Sequence, residues 1–181
     1  MLIAREKRTT NIAEFILYMW QVEDLIRASG FDIDEIEKTI ISKYRQPREI
    51  LYEIRDWYAS LIQSMKQEKL EKKGHLSFLN NLLNELTDLH IRLLNHQDES
   101  GYRLLYQHAR PNIETLMNKT NNPVKSEIEV CLTGLYGFLL IRLQKKEISL
   151  ETTAAISTFS SLLALLSKRF LEIETGEREL P

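Results

Sequence analysis

Residues 50–65 read Ile50-Leu51-Tyr52-Glu53-Ile54-Arg55-Asp56-Trp57-Tyr58-Ala59-Ser60-Leu61-Ile62-Gln63-Ser64-Met65. Ile50, Leu51, Ile54, Trp57, Tyr58, Leu61, Ile62 and Met65 follow steps of three and four, which places them on one face of a helix. Glu49, Glu53 and Asp56 lie early on the polar face and Lys66, Lys69, Lys72 and Lys73 late, the order that suits the helix dipole. Pro47 fits the first turn, where a missing N–H costs nothing. Gly74 is expected to end this helix.

The same period extends outward in both directions. Leu76, Leu79, Leu83, Leu86, His90 and Leu93 make a bundle-like seam over 75–96. With only Gly74 between them, this segment and 47–73 are expected to form an antiparallel hairpin, or one kinked helix. Upstream, 11–28 is apolar nearly all round from Phe15 to Trp20, the mark of a buried helix, and Gly30 can close it in left-handed geometry. A short helix over 32–41 shows Ile33, Ile36, Ile40 and Ile41 on its apolar face, with Asp32 and Glu35 at capping-box spacing.

Downstream, 98–119 reads as helix, with a break or kink expected at Pro111. Asn121, Asn122 and Pro123 read as a loop. Residues 125–146 form a second strongly apolar helix carrying Gly134 and Gly137. Each glycine weakens a helix by about 1 kcal/mol relative to alanine, so close approach by a neighbour is the expected compensation. Ser149 caps a last helix, 149–171. The expectation is an all-α fold: a compact bundle of about seven helices, with 11–28 and 125–146 central. A single domain over 1–181 is expected, with 1–9 and 172–181 as fraying termini.

Composition limits function. The 181 residues carry 24 Lys and Arg against 26 Asp and Glu, a formal charge of −2. No basic stripe stands out, so nucleic acid is not an expected partner. Arg5, Lys7 and Arg8 precede an apolar run, but Glu14 interrupts it and no cleavage site follows, so a signal peptide is rejected. No membrane span is read in the uncharged stretches 130–141 and 152–167: the first is too short, and the second is rich in Ser and Thr. The cytoplasm is the expected location. Cys131 is the only cysteine. It sits in an apolar pattern and reads as a small buried hydrophobe rather than a nucleophile.

Three segments together carry a resemblance: NIAEFILYMWQVEDLIRA (11–28), GHLSFLNNLLNELTDLHIRLL (74–94) and EIEVCLTGLYGFLLIRLQKKEIS (127–149). They resemble an uncharacterised all-helical bacterial family, a domain of unknown function, over about residues 11–171. The resemblance implies a bacterial cytoplasmic protein and brings no catalytic residue with it.

Candidate chemistry is sparse. No acidic residue stands three before any histidine and no two histidines are three or four apart, so no helical metal motif is read and no cofactor is expected. Glu68, Glu71, Glu85 and Asp88 have the spacing of a magnesium-binding pattern in all-α nucleotide pyrophosphohydrolases, with poor geometry across a turn at Gly74. The Lys66–Lys73 cluster is interleaved with glutamates and reads as a solvated helix end. Gln21, Asp24, His90 and Arg142 are the expected members of one polar cluster, structural or ligand-binding. The leading functional expectation is a non-enzymatic helical interaction or scaffold module with self-association as a homodimer. Its surface would be the Ala154, Ala155, Ser157, Ser160, Ser161 and Ala164 face of the last helix. A protein with a small-ligand pocket between helices is the alternative, and the magnesium-dependent hydrolase is the third reading.

Overall fold

The computed structural model describes residues 2–119 and 126–179. Among them are eight α-helices and one 3-10 turn, and no strand. The helices are α1 (Leu2–Thr10), α2 (Ile12–Ala28), α3 (Ile33–Thr39), α4 (Arg48–Gln67), α5 (Ser77–Asn95), α6 (Ser100–Lys119), α7 (Glu127–Leu143) and α8 (Leu150–Glu174). The 3-10 turn is Ile41–Lys43. The fold is all-α, a bundle of helices as the apolar period predicts. The loop expected at Asn121–Pro123 lies outside the described residues.

Contacts group the chain into two compact units. The first holds residues 1–8 and 14–81, the second 9–13 and 82–181. In the first unit, α2 buries Phe15, Ile16, Met19, Trp20, Val22 and Ile26. Gly30 (φ 62°) and Phe31 (φ 60°) end α2 in left-handed geometry, and the Phe31 N–H donates to the Ile26 carbonyl. Asp32 then caps α3, accepting from the Asp34 and Glu35 amides. α4 buries Ile54, Tyr58, Leu61, Ile62 and Met65, the stripe that the sequence marks.

α4 stops at Gln67, seven residues short of the expected end at Gly74. Lys69 takes the left-handed position (φ 58°), and the Leu70 amide reaches back to the Met65 carbonyl. This closure satisfies carbonyls at the helix end without glycine. The segment that follows is fastened to α2. Arg27 donates through Nε to the Leu70 carbonyl at 3.0 Å and through its other nitrogens to the Gly74 carbonyl and to Asp24. Buried Glu23 accepts the Leu76 amide at 2.8 Å and lies 2.5 Å from His75 Nδ1. His75 stacks on Trp20. Glu68 accepts both the amide and the hydroxyl of Ser77, at 2.7 Å each. Two carboxylates thus occupy the start of α5, where unpaired amides and the dipole favour negative charge. α4 and α5 are separate helices joined by an ordered nine-residue connection.

In the second unit α6, α7 and α8 pack on one another. α6 runs through Pro111 as helix. Pro111 and Gln107, whose carbonyl loses its partner, are both on the exposed side, where solvent can reach the freed carbonyl. Ser126 caps α7 and Ser149 caps α8, each accepting an amide three residues on. The Ala13 amide donates to buried Ser167.

Residues 2–10 are helical, with Ala4 buried and Lys7 bound to Glu14 at 2.6 Å. Beyond α8, Arg178 reaches the buried carboxylate of Glu99, which also lies 2.9 Å from Arg169 Nε; Arg169 bonds Glu172. A buried carboxylate needs such partners, and this one ties residue 178 down.

α7 departs from the expectation of a central helix. Ile128, Val130, Cys131 and Leu132 are buried, but from Gly134 onward the helix is half-exposed or exposed. Its two glycines differ in the same way. A Cβ on Gly134 would stand 2.9 Å from the Phe159 ring and 3.1 Å from Leu116 Cδ2, so α8 and α6 require the missing side chain. A Cβ on Gly137 would meet nothing within 4 Å. Gly134→Ala is therefore expected to destabilise by about 1–3 kcal/mol through overpacking. Gly137→Ala should be neutral or stabilise the fold by up to about 1 kcal/mol. Urea denaturation of both variants at low protein concentration checks the opposite signs.

Candidate functional site

A buried polar group in the second unit forms where α5, α6 and the start of α7 meet. His90, on the buried seam of α5, is 2% exposed. The Tyr102 hydroxyl donates to its Nδ1 at 2.7 Å. The proton is then on Nε2, which donates to Glu127 Oε2 at 3.2 Å. The Tyr106 hydroxyl donates to the other oxygen of Glu127 at 2.9 Å. Both tyrosine rings lie edge-on to the imidazole. One turn earlier on α5, Thr87 Oγ1 is 3.1 Å from Ser126 Oγ, the cap of α7.

Burial sets the protonation of this group. It lowers the His90 pKa below the ordinary histidine value, and the hydrogen bond and charge of Glu127 oppose the shift without reversing it. Burial and the bond to Glu127 push the Tyr106 phenol up to about 12. Burial raises Tyr102 further still, with nearby Cys131 and Glu127 adding to it. The Cys131 thiol, buried behind the same cluster, is pushed up by burial and then by Glu127. At neutral pH the cluster is a neutral imidazole, two phenols and a thiol around one partly solvated carboxylate. Its bonds join three helices, and its effect is to fix the first turn of α7.

The ring nitrogens of His90 are bonded by Tyr102 and Glu127, not by Arg142. Arg142, in the same unit as His90, is exposed near the end of α7 with its guanidinium 5.9 Å from the Phe138 ring. Asp24 is exposed on α2 and bonded to Arg27. Gln21 is half-buried on that helix. The carboxylate that α2 buries is Glu23, one position before Asp24. Its signal was positional: Glu23 is three residues after Trp20 and four after Met19, on the apolar side, and Asp24 falls outside that line. The partners of His90 have no local sequence signal, because Glu127 is 37 residues away along the chain.

The four acidic positions of the hydrolase pattern have separate roles. Glu68 caps α5, and Glu71 is exposed. Glu85 and Asp88 line a groove of about 290 Å³ with Leu89, Arg92, Phe170, Ile173 and Glu174. Three carboxylates around one guanidinium disfavour a phosphate there. No group of three or more His, Cys, Asp or Glu residues suited to a metal ion occurs among the described residues.

A larger feature is apolar. Beyond the fixed first turn, α7 presents Leu135, Tyr136, Phe138, Leu139, Leu140, Ile141 and Leu143, none of them buried. Leu140 is 37% exposed and Leu143 66%; Leu150, at the start of α8, is 89% exposed. The small residues Ala154, Ser157, Ser160, Ser161 and Ala164 of α8 are also exposed. A helix that is apolar around its circumference ordinarily needs cover on every side.

The model of the family described as "Domain of unknown function (DUF4924)" matches residues 1–177. The chain belongs to this family. No curated protein matches it. No solved structure matches it. The DUF4924 match spans both units, so the His90 cluster and the apolar half of α7 lie inside the family's domain.

The His90 arrangement sets a pH dependence. The folded protein holds His90 neutral where the unfolded chain, with an ordinary pKa near 6.5, takes up a proton. Stability from this group is therefore present above the unfolded value and is lost as pH falls below it toward the folded value. His90→Gln is expected to destabilise by about 1–3 kcal/mol at pH 7.5 and to flatten the decline in stability between pH 7 and 5. Equal slopes for wild type and variant in pH-dependent denaturation would contradict the assignment.

Proposed function

We propose that this protein is a non-enzymatic helical interaction module that associates with itself through the outer half of α7 and the α7–α8 corner. The observation that carries the reading is the exposure of Leu140, Leu143 and Leu150 beside a half-exposed apolar helix. Single exposed leucines are ordinary on a monomer, but a contiguous apolar face on one element marks an interaction surface. The His90 cluster supports the reading because it holds the base of α7 rigidly, and a preorganised surface loses less entropy on binding.

The titratable groups point the same way. Both nitrogens of His90 are engaged and the thiol of Cys131 is pushed far from ionisation, so neither is poised as a base or nucleophile. The groove beside Glu85 lies at the lower edge of the volume that small-ligand sites occupy.

A soluble protein of the cytoplasm is part of this proposal. α8 is the one helix among the described residues long and apolar enough to cross a membrane, with mean hydropathy 1.3 and 28% of that window buried. Its Phe159, Leu162, Leu163, Leu166 and Phe170 are buried against its own unit, and Lys168, Arg169 and Glu172 occupy its last turns. Charges in that position are costly within lipid, which supports reading α8 as a core helix.

Sedimentation velocity across a range of protein concentrations tests the proposal. The expected result is a reversible shift from monomer to dimer, weakened at least tenfold by Leu143→Lys together with Leu150→Lys. A wild-type chain that remains monomeric throughout would refute it. Both leucines are exposed, so the substitutions are expected to leave the melting temperature of the dilute protein within a few degrees.

A further inference from the structure

The groove of about 290 Å³ beside Glu85 lies between α5 and α8, both in the second unit. Its floor is apolar: Leu89 and Phe170 are buried and Ile173 is half-buried. Its rim is charged: Glu85, Asp88 and Arg92 of α5 and Glu174 of α8 are exposed. Asp88 follows Glu85 by three residues and Arg92 follows Asp88 by four, so these three share one face of α5. Asp88 therefore lies about one turn before Arg92 and Glu85 about two, roughly 10 Å along the axis.

The side chains of Glu85, Asp88 and Arg92 make no hydrogen bond or ion pair with the described residues. Spacing is not the reason. On α6, Arg110 and Glu114 stand at the same four-residue separation and pair at 2.8 Å. Arg92 has two carboxylates on its own helix face and a third on the facing helix, and it bonds none of them. The groove thus presents charges of both signs in a fixed order beside an apolar floor.

An occupant has to match the shape and the charges together. Drug-sized ligands fill roughly 300–1,000 Å³, so this groove suits a smaller molecule. A simple amine would leave Arg92 unmatched, and a simple carboxylic acid would be opposed by three carboxylates. Two cationic groups, one carboxylate and an apolar stem between the charges meet every feature. We propose that the α5–α8 groove binds a free basic amino acid of the length of lysine. Arg92 takes the α-carboxylate, and Asp88, one turn away, takes the α-ammonium. The methylene stem lies on Leu89, Phe170 and Ile173, as lysine stems do on apolar surface. Glu85 takes the side-chain ammonium, and Glu174 adds to the negative field that favours a ligand of net positive charge. No residue of α7 takes part, so the groove and the self-association proposed above stand or fall separately.

Amide NMR titration with three probes tests the assignment. The probes are L-lysine, 1,5-diaminopentane, which lacks the carboxylate, and L-norleucine, which lacks the side-chain ammonium. L-Lysine is expected to shift the amides of residues 85–92 and 170–174 saturably, with a dissociation constant on the order of 1 mM for so small a ligand. The other two probes are expected to bind about three- to tenfold more weakly. Arg92→Gln should weaken L-lysine by that factor and leave 1,5-diaminopentane unchanged. Glu85→Gln should weaken L-lysine and leave L-norleucine unchanged. Both substituted side chains are exposed, so thermal melts of the variants should match wild type within a few degrees. Absence of saturable shifts at these amides with L-lysine, or equal affinity for all three probes, overturns the proposal. An Arg92→Gln variant that weakens L-lysine and 1,5-diaminopentane alike overturns it too.

Discussion

A helix that is apolar on all sides and covered on only some of them is the constraint on which the second unit depends. α7 is such a helix. Its first turns are locked by the cap at Ser126, by Glu127 between His90 and Tyr106, and by the burial of Ile128, Val130, Cys131 and Leu132. Its later turns meet α8 and α6 at Gly134 and are only partly covered, with Leu140, Arg142 and Leu143 exposed. Burial at one end and exposure at the other belong to one rod. Removing the polar lock would therefore alter how the apolar face is presented without touching that face.

The first unit is held by a different device. The end of α2 sends Glu23 and Arg27 to opposite sorts of backbone group on the same connection: the carboxylate takes an amide, and the guanidinium takes two carbonyls. The connection is mostly exposed, with only Leu76 buried, so these bonds fix its course rather than offset burial. Two charged side chains four residues apart on one helix supply them. Together with the Leu70–Met65 closure, they hold the segment between α4 and α5 against α2.

The legible part of the fold was the part set by period. The face of α4, the seam of α5 and the caps at Asp32 and Ser149 follow from spacing and from the chemistry of helix ends. The end of α4 differs from the sequence expectation because glycine is the strongest stop signal in sequence, whereas here Lys69 takes the left-handed geometry with Leu70 as its anchor. Pro111 did not break α6 because the lost bond falls on a wet face, which no local pattern reveals. The partial exposure of α7 escapes the sequence for a related reason. Apolarity around a whole helix states that cover is needed, but not that the same chain provides it. Of the candidate site, His90 was visible as a polar residue on a leucine seam. Its partners were not, because tertiary packing alone brings residues 102, 106 and 127 to it.

The same physics bears on what the chain does. Reactive sites hold ionisable groups with shifted pKa values in a geometry that leaves room for a reacting atom. In the His90 cluster the imidazole has a partner on each nitrogen and the Glu127 carboxylate accepts a bond on each oxygen. In the first unit, Glu23 and Glu68 are likewise committed to the start of α5. The unmet demand is hydrophobic, on α7 and at Leu150, with unpaired charges set around it. The proposed self-association would cover that surface.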